Sequence, residues 1–282
     1  MILAPRRRTA VRLVTLDRSL EALPLFRLSD SAEEGAISFA AAGGGRWRVL
    51  PSPGDRLPGT FDQDVYVELL HRFREAGAPE DGVLTFTLHS FLRSMGRRAD
   101  GRTYEQLRAA LTRLERTSLE SQGAYAGPDG QPVDERFTIL SSVAIDRRRL
   151  AEREQLTLFP QLLGNEPGDA RATLAPALRA NLAAGRTSTL ALGTYLALGS
   201  PVARRLYRLL AVTLDTEGTS WEVPLDRLAE QLPLAQRYPS HLQRVLQPAH
   251  DMLVAQGVLR NAAVRQHQRD WFVDYMLGSR PV

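Results

Sequence analysis

The 282-residue chain has no cysteine and no lysine. The first absence excludes a disulfide scaffold, a thiolate metal site and a cysteine nucleophile. The second excludes Schiff-base chemistry, a lysine general base and a phosphate loop of the G-x-x-x-x-G-K-[ST] kind. No run approaches ~18 consecutive apolar residues, so no membrane span is predicted. The first sixteen residues place arginine ahead of any apolar core and offer no cleavage-like site. They therefore do not read as a secretion signal, and the cytoplasm is the expected compartment.

All 36 basic residues are arginine, as a GC-rich coding sequence would produce. Their placement carries more information than their number. Residues 93–116 hold seven arginines against three acids, and residues 236–269 hold five against Asp251 alone. Residues 1–16 add four arginines and no acid. Each segment is net +4 in a chain whose total is only +4, so the remainder is net acidic. Positive charge concentrated in this way is the footprint of a protein that binds a polyanion.

The expected fold class is α+β, mainly helical. Ile37–Ala41 and Arg46–Leu50 flank three glycines and read as a β-hairpin. Thr60 and Gln63 read as a capping box opening a helix with Phe61, Val65, Leu69, Leu70 and Phe73 on one face. A short strand at Leu84–Phe86 and a helix through Leu88, Phe91, Leu92 and Met95 follow. A second box, Thr103 and Gln106, is expected to open a helix that buries Leu107, Leu111 and Leu114. Strands at Ser118–Ala124 and Arg136–Ile145 close the unit. Helix, strand, helix, helix and hairpin is the order of a winged helix-turn-helix.

The pattern recurs. Sliding residues 61–106 forward by 137 places twelve of fifteen large apolar residues on apolar partners, where composition alone predicts about six. Only Val67, Val83 and Tyr104 fail, and Thr103 and Gln106 fall on Ser240 and Gln243, a third box. Strands at Val258–Val264 and Trp271–Met276 again follow, and Trp221 and Trp271 read as core. Two tandem winged helices are therefore expected, with residues 1–35 a basic flexible arm and lead-in. Residues 36–150 form the first domain with its hairpin, 151–190 a connector and 191–282 the second domain. Pro201 is expected at the first position of a helix, and Pro248 to kink another.

The run Leu57-Pro58-Gly59-Thr60-Phe61-Asp62-Gln63-Asp64-Val65 after the hairpin resembles the plasmid replication initiator protein A family. So does Thr103-Tyr104-Glu105-Gln106-Leu107 through Ala110-Leu111, Leu114 and Thr117. Arg244-Val245-Leu246-Gln247-Pro248-Ala249 resembles the second recognition helix of iteron-binding initiators. The resemblance implies binding to repeated double-stranded origin DNA, local opening, and recruitment of host helicase and other replication proteins. It also implies homodimers and repression of the initiator's own gene. A tandem winged-helix transcriptional repressor is the alternative reading.

Recognition helices reach bases from their N-terminal part, through polar groups opposite the core stripe. In the first unit these are Arg97, Arg98, Arg102, Thr103, Gln106, Arg113 and Arg116. In the second they are Arg237, Ser240, His241, Gln243, Arg244 and Gln247, with Arg265 and Arg269 on the wing. Arginine suits guanine O6 and N7, glutamine suits adenine N6 and N7, and wing arginines neutralise phosphate. No catalytic, cofactor or metal site is expected. Asp62-x-Asp64 sits in a first helical turn, where acids suit the dipole. The five histidines do not cluster as a metal-dependent nicking enzyme would need.

Overall fold

The computed structural model describes residues 11–28, 35–41, 43–146, 170–236 and 238–278. Strand β1 (Leu13–Asp17) alternates its side chains, burying Val14 and Leu16 completely, and pairs antiparallel with β9 (Thr187–Ala191). Asp17 then caps α1 (Arg18–Glu21), accepting from the amides of Ser19 and Leu20 at 2.9 and 3.2 Å. The expected flexible arm is thus core over this stretch. Its apolar alternation outweighs the basic bias set by Arg6–Arg8, which lie outside the described residues.

The expected hairpin is present as β2 (Ile37–Ala40) and β3 (Arg46–Leu50), with Phe39 opposite Trp47. Gly43 and Gly44 turn it with φ of 92° and 90°, values that L side chains rarely adopt. Helix α2 (Thr60–Glu75) starts where predicted, but its cap is one residue earlier. Gly59 donates its N–H to Asp62 at 2.7 Å, so the Thr60/Gln63 box does not form, and Gln63 is fully buried. Strand β4 (Val83–Phe86), α3 (Leu88–Ser94) and α4 (Gly101–Arg116) follow. Asp100 caps α4 by a reciprocal pair with Thr103, replacing the expected Thr103/Gln106 box and moving the cap back three residues.

Beyond α4 run β5 (Ser118–Ala126), β6 (Pro132–Phe137) and β7 (Leu140–Ile145). The single strand predicted at 136–145 is broken at Thr138-Ile139, where Thr138 Oγ1 donates to the Leu140 carbonyl at 2.7 Å. One four-stranded sheet has the order β2-β3-β5-β6, so the N-terminal hairpin extends the β5-β6 hairpin. A second sheet, β4-β8-β7, takes its central strand β8 (Ala170–Leu174) from the expected connector. Helix α5 (Pro176–Ala183) and β9 also come from that stretch, so its described half is integral to the fold.

The later half contains α6 (Leu192–Ala197), α7 (Pro201–Glu217), β10 (Ser220–Pro224), α8 (Leu225–Gln231) and α9 (Pro239–Ala255). Strands β11 (Leu259–His267) and β12 (Asp270–Leu277) complete a sheet of order β10-β12-β11. Pro201 opens α7 as expected. The Ser240/Gln243 box does not form, because α9 starts at Pro239 with Tyr238 as an N-cap that supplies no side-chain bond. The helix runs unbroken through Pro248. The repeat holds at the level of elements: α3 and α8 occupy the same seven residues at an offset of 137. Its sheets differ, since β4 pairs with β8 whereas β10 pairs with β12.

Two helices carry buried polar pairs at corresponding positions of the repeat, Glu68 and His71 on α2, Arg205 and Arg208 on α7. The N-terminal lead-in supplies partners to both. Arg12 Nε donates to His71 Nε2 at 3.2 Å and its guanidinium lies 3.8 Å from Glu68. Glu21 accepts two bonds from Arg208 at 2.9 and 2.8 Å and one from Arg205 at 3.3 Å. Arg208 also donates to Gln63 at 2.8 Å and lies over the rings of Phe26 and Tyr66. Two arginines against one carboxylate leave a buried excess of positive charge. Burial, and then neighbouring Arg208, push Arg205 down to about 10.

Candidate nucleic-acid interface

Helix α4 packs its stripe of Tyr104, Leu107, Ala110, Leu111 and Leu114 inward and leaves Arg102, Gln106, Ala109 and Arg116 exposed. Arg98, in the preceding turn, is almost fully exposed and only 3.9 Å from Asp100. Thr103 is spent on the cap. Tyr104 is core, its hydroxyl 3.3 Å from His89 Nδ1.

Two expected members of this face are engaged elsewhere. Arg113 is buried and donates twice to Asp62, at 3.1 and 2.8 Å. Helical periodicity placed it outward, but the first turn of α2 crosses the C-terminal half of α4 and covers it. Arg97 keeps some exposure, yet it donates to Asp64 at 2.7 Å and lies over the Phe61 ring. Neither aspartate of Asp62-x-Asp64 is free for a metal, since each already holds guanidinium. Among the described residues, no group of three or more metal-ligating side chains occurs.

Helix α9 buries Leu242, Leu246, Ala249 and Leu253 and exposes Ser240, His241, Arg244 and Gln247, with Gln243 half-buried. Its exposed face has one acid, Asp251, which accepts from Gln247 Nε2 at 2.8 Å. Arg244 has no ion-pair partner among the described residues. Arg237 lies outside them. Behind the helix, His250 is buried with its Nε2 2.9 Å from the Tyr275 hydroxyl, and burial pushes its pKa down to about 4.

The turn between β11 and β12 falls at Gln268-Arg269, and Arg269 is exposed there. Arg265 is not at the tip. It pairs with Glu222 on β10 and with Asp274 on β12 at 2.5 Å, over the Phe272 ring. These two carboxylates, Asp274 first, raise its pKa, and the guanidinium links β11 to β10 and β12 while the side chain stays exposed.

One surface residue carried no periodic signal. Tyr238, 72% exposed, stands at the start of α9 with its ring edge-on to His241, centroids 5.8 Å apart. Only its place before Pro239 marks it in the sequence.

Two crystal structures of domains 2 and 3 of RctB share this chain's fold. One, at 11% identity, covers 90% of this chain and 95% of the other with a TM-score of 0.53. The other, at 9% identity, covers 92% and 95% with a TM-score of 0.50. A third, the Pi initiator protein in complex with iteron DNA, matches at 14% identity over 78% of this chain and 95% of that one, with a TM-score of 0.46. No curated protein sequence matches the chain. The class defined by fold is thus an α+β protein built like the domain pair of RctB. The model of the replication initiator protein A family matches residues 16–252. The chain belongs to that family and is a replication initiator.

Proposed function

We propose that the chain initiates replication of a plasmid or secondary replicon by binding repeated double-stranded origin DNA through two tandem winged helices. Helices α4 and α9 would be the reading elements, with β5–β6 and β11–β12 as wings, and residues 36–150 and 191–282 as the two DNA-binding units. The observation that carries this reading is the recurrence of one helix-strand-helix-helix-hairpin order at an offset of 137, each copy with an exposed arginine in the N-terminal half of its last helix. Base contacts are assigned to Arg102, Gln106, Arg244 and Gln247, with Ser240, His241 and Gln243 beside them. Backbone contacts are assigned to Arg98, Arg116, Arg269 and Tyr238. No cofactor or catalytic residue is assigned.

Footprinting on DNA upstream of the gene tests the proposal, and two protected segments within each direct repeat are expected. With six to ten phosphates engaged, log K should fall with log salt at a slope of roughly −5 to −9, and a flat response would sink the proposal. Arg244→Ala should weaken specific binding by ~1–3 kcal/mol, while equal loss on random DNA would reassign Arg244 to phosphate. Protection of a lone palindrome would favour the repressor reading. A nicked product from supercoiled origin DNA with Mg²⁺ would favour an enzyme. Host helicase and a second copy of the chain are the proposed protein partners. Among the described residues, no helix is long and apolar enough to cross a membrane.

A further inference from the structure

Asp64 is a buried carboxylate on α2 whose partners come from both halves of the molecule. Arg97, in the segment leading into α4, donates to Oδ2 at 2.7 Å, and Arg204 on α7 donates to the same oxygen at 2.5 Å. The Tyr195 hydroxyl of α6 donates to Oδ1 at 2.9 Å. Helix α4 packs on α2 and α9 packs on α7, so this carboxylate links the helix behind α4 to the helix behind α9. At the offset of 137, Arg204 falls on Val67, which is fully buried and apolar. The repeat fails at a position where the second copy sends a charge across to the first. Arg204 is fixed further by donation from Nε to the Leu198 carbonyl at 2.8 Å.

We propose that Asp64 is a positioning residue that sets the distance and angle between the two DNA-reading helices, so that the protein measures the spacing between the two segments it contacts. This rests on the DNA-binding reading above. A carboxylate held by two guanidinium groups and a hydroxyl in a mostly buried site has few alternative partners, so the geometry it enforces is stiff. A cavity of about 490 Å³ opens beside the cluster, lined by Arg97, Gln106 and Arg204 among others, and keeps one side of the clamp in contact with solvent. Solvent there limits the penalty of removing the central charge.

Each inserted base pair moves one segment by about 3.4 Å and turns it by roughly 35° relative to the other. The test measures binding of the whole chain to a footprinted repeat and to versions with one to three base pairs added between the protected segments. For the unaltered protein, insertion should disengage one unit and cost roughly a hundredfold in affinity. Asp64→Asn should flatten that dependence to less than about tenfold, whereas Arg102→Ala should weaken every spacing equally. Arg204→Gln is the second variant, should Asp64→Asn fail to fold, and Arg204→Lys should restore part of the steepness. A folded Asp64→Asn or Arg204→Gln protein that keeps the full spacing dependence overturns the proposal. So does an unaltered protein that binds all spacings alike. Failure to bind any repeat overturns the DNA-binding reading instead.

Discussion

Arginine at a single residue position has two opposite uses in this chain. Arg205 and Arg208 are almost fully buried against Glu21, while Arg102 and Arg244 are exposed on their helices. Composition cannot distinguish them, because both kinds sit on amphipathic helices. Arg113 shows why: periodicity places it with Arg102 and Gln106, and only the crossing of α2 sinks it onto Asp62. Arg113→Ala should therefore strand a buried carboxylate and destabilise the protein by about 3–5 kcal/mol, read by urea denaturation. Arg116→Ala, on an exposed side chain, should leave stability within ~0.5 kcal/mol. Equal stabilities for the two variants would return Arg113 to the surface. Candidate site residues were thus legible as types on a face. Which of them remain outside depended on what lies across that face.

At the scale of elements, the apolar stripes of α2, α4, α7 and α9 were readable, but their caps were not. Three predicted capping boxes give way to Gly59, Asp100 and Tyr238, because a cap depends on where the preceding backbone leaves the helix rather than on residue type alone. In α9 the core face carries a titratable group. His250 has its pKa depressed from 6.5 to about 4 by burial. Its contribution is present above pH 6.5 and is lost as pH falls toward 4, roughly 3 kcal/mol in all. Asp17 is raised from 3.8 to about 6, chiefly by burial, so its contribution is present below pH 4 and is lost as pH rises through 6. The two slopes oppose each other between pH 4 and 6. Comparison of thermal melts should therefore show a shallower loss of stability on acidification in His250→Gln than in the unaltered chain. Identical slopes would place His250 in contact with water.

Across the whole molecule, the lead-in segment ties the halves together. Arg12 reaches Glu68 and His71 on α2, and Glu21 reaches the basic pair on α7. Because these bonds run between parts of the chain more than 180 residues apart at the Glu21 end, neither half completes its polar core alone. The full chain should unfold in one cooperative transition in denaturant. A fragment spanning residues 191–282 should lack a cooperative melt, since Arg205 and Arg208 would lose Glu21 and Gln63. Two separable transitions in the intact protein would contradict this arrangement.

The amino-acid order by itself determined the main helices and hairpins and their duplication. Hydrophobic spacing within a helix or strand is a local property, and a repeat at an offset of 137 preserves it. It also raised the expectation of a polyanionic partner, since clustered arginine and a net-acidic remainder follow from counting. Tertiary structure alone decided that residues 13–28 and 170–191 belong to the core, that β4 pairs with β8, and that Asp62, Asp64 and Glu21 neutralise arginines. Those outcomes join residues distant in sequence, and their energies depend on desolvation and on geometry that no local pattern records.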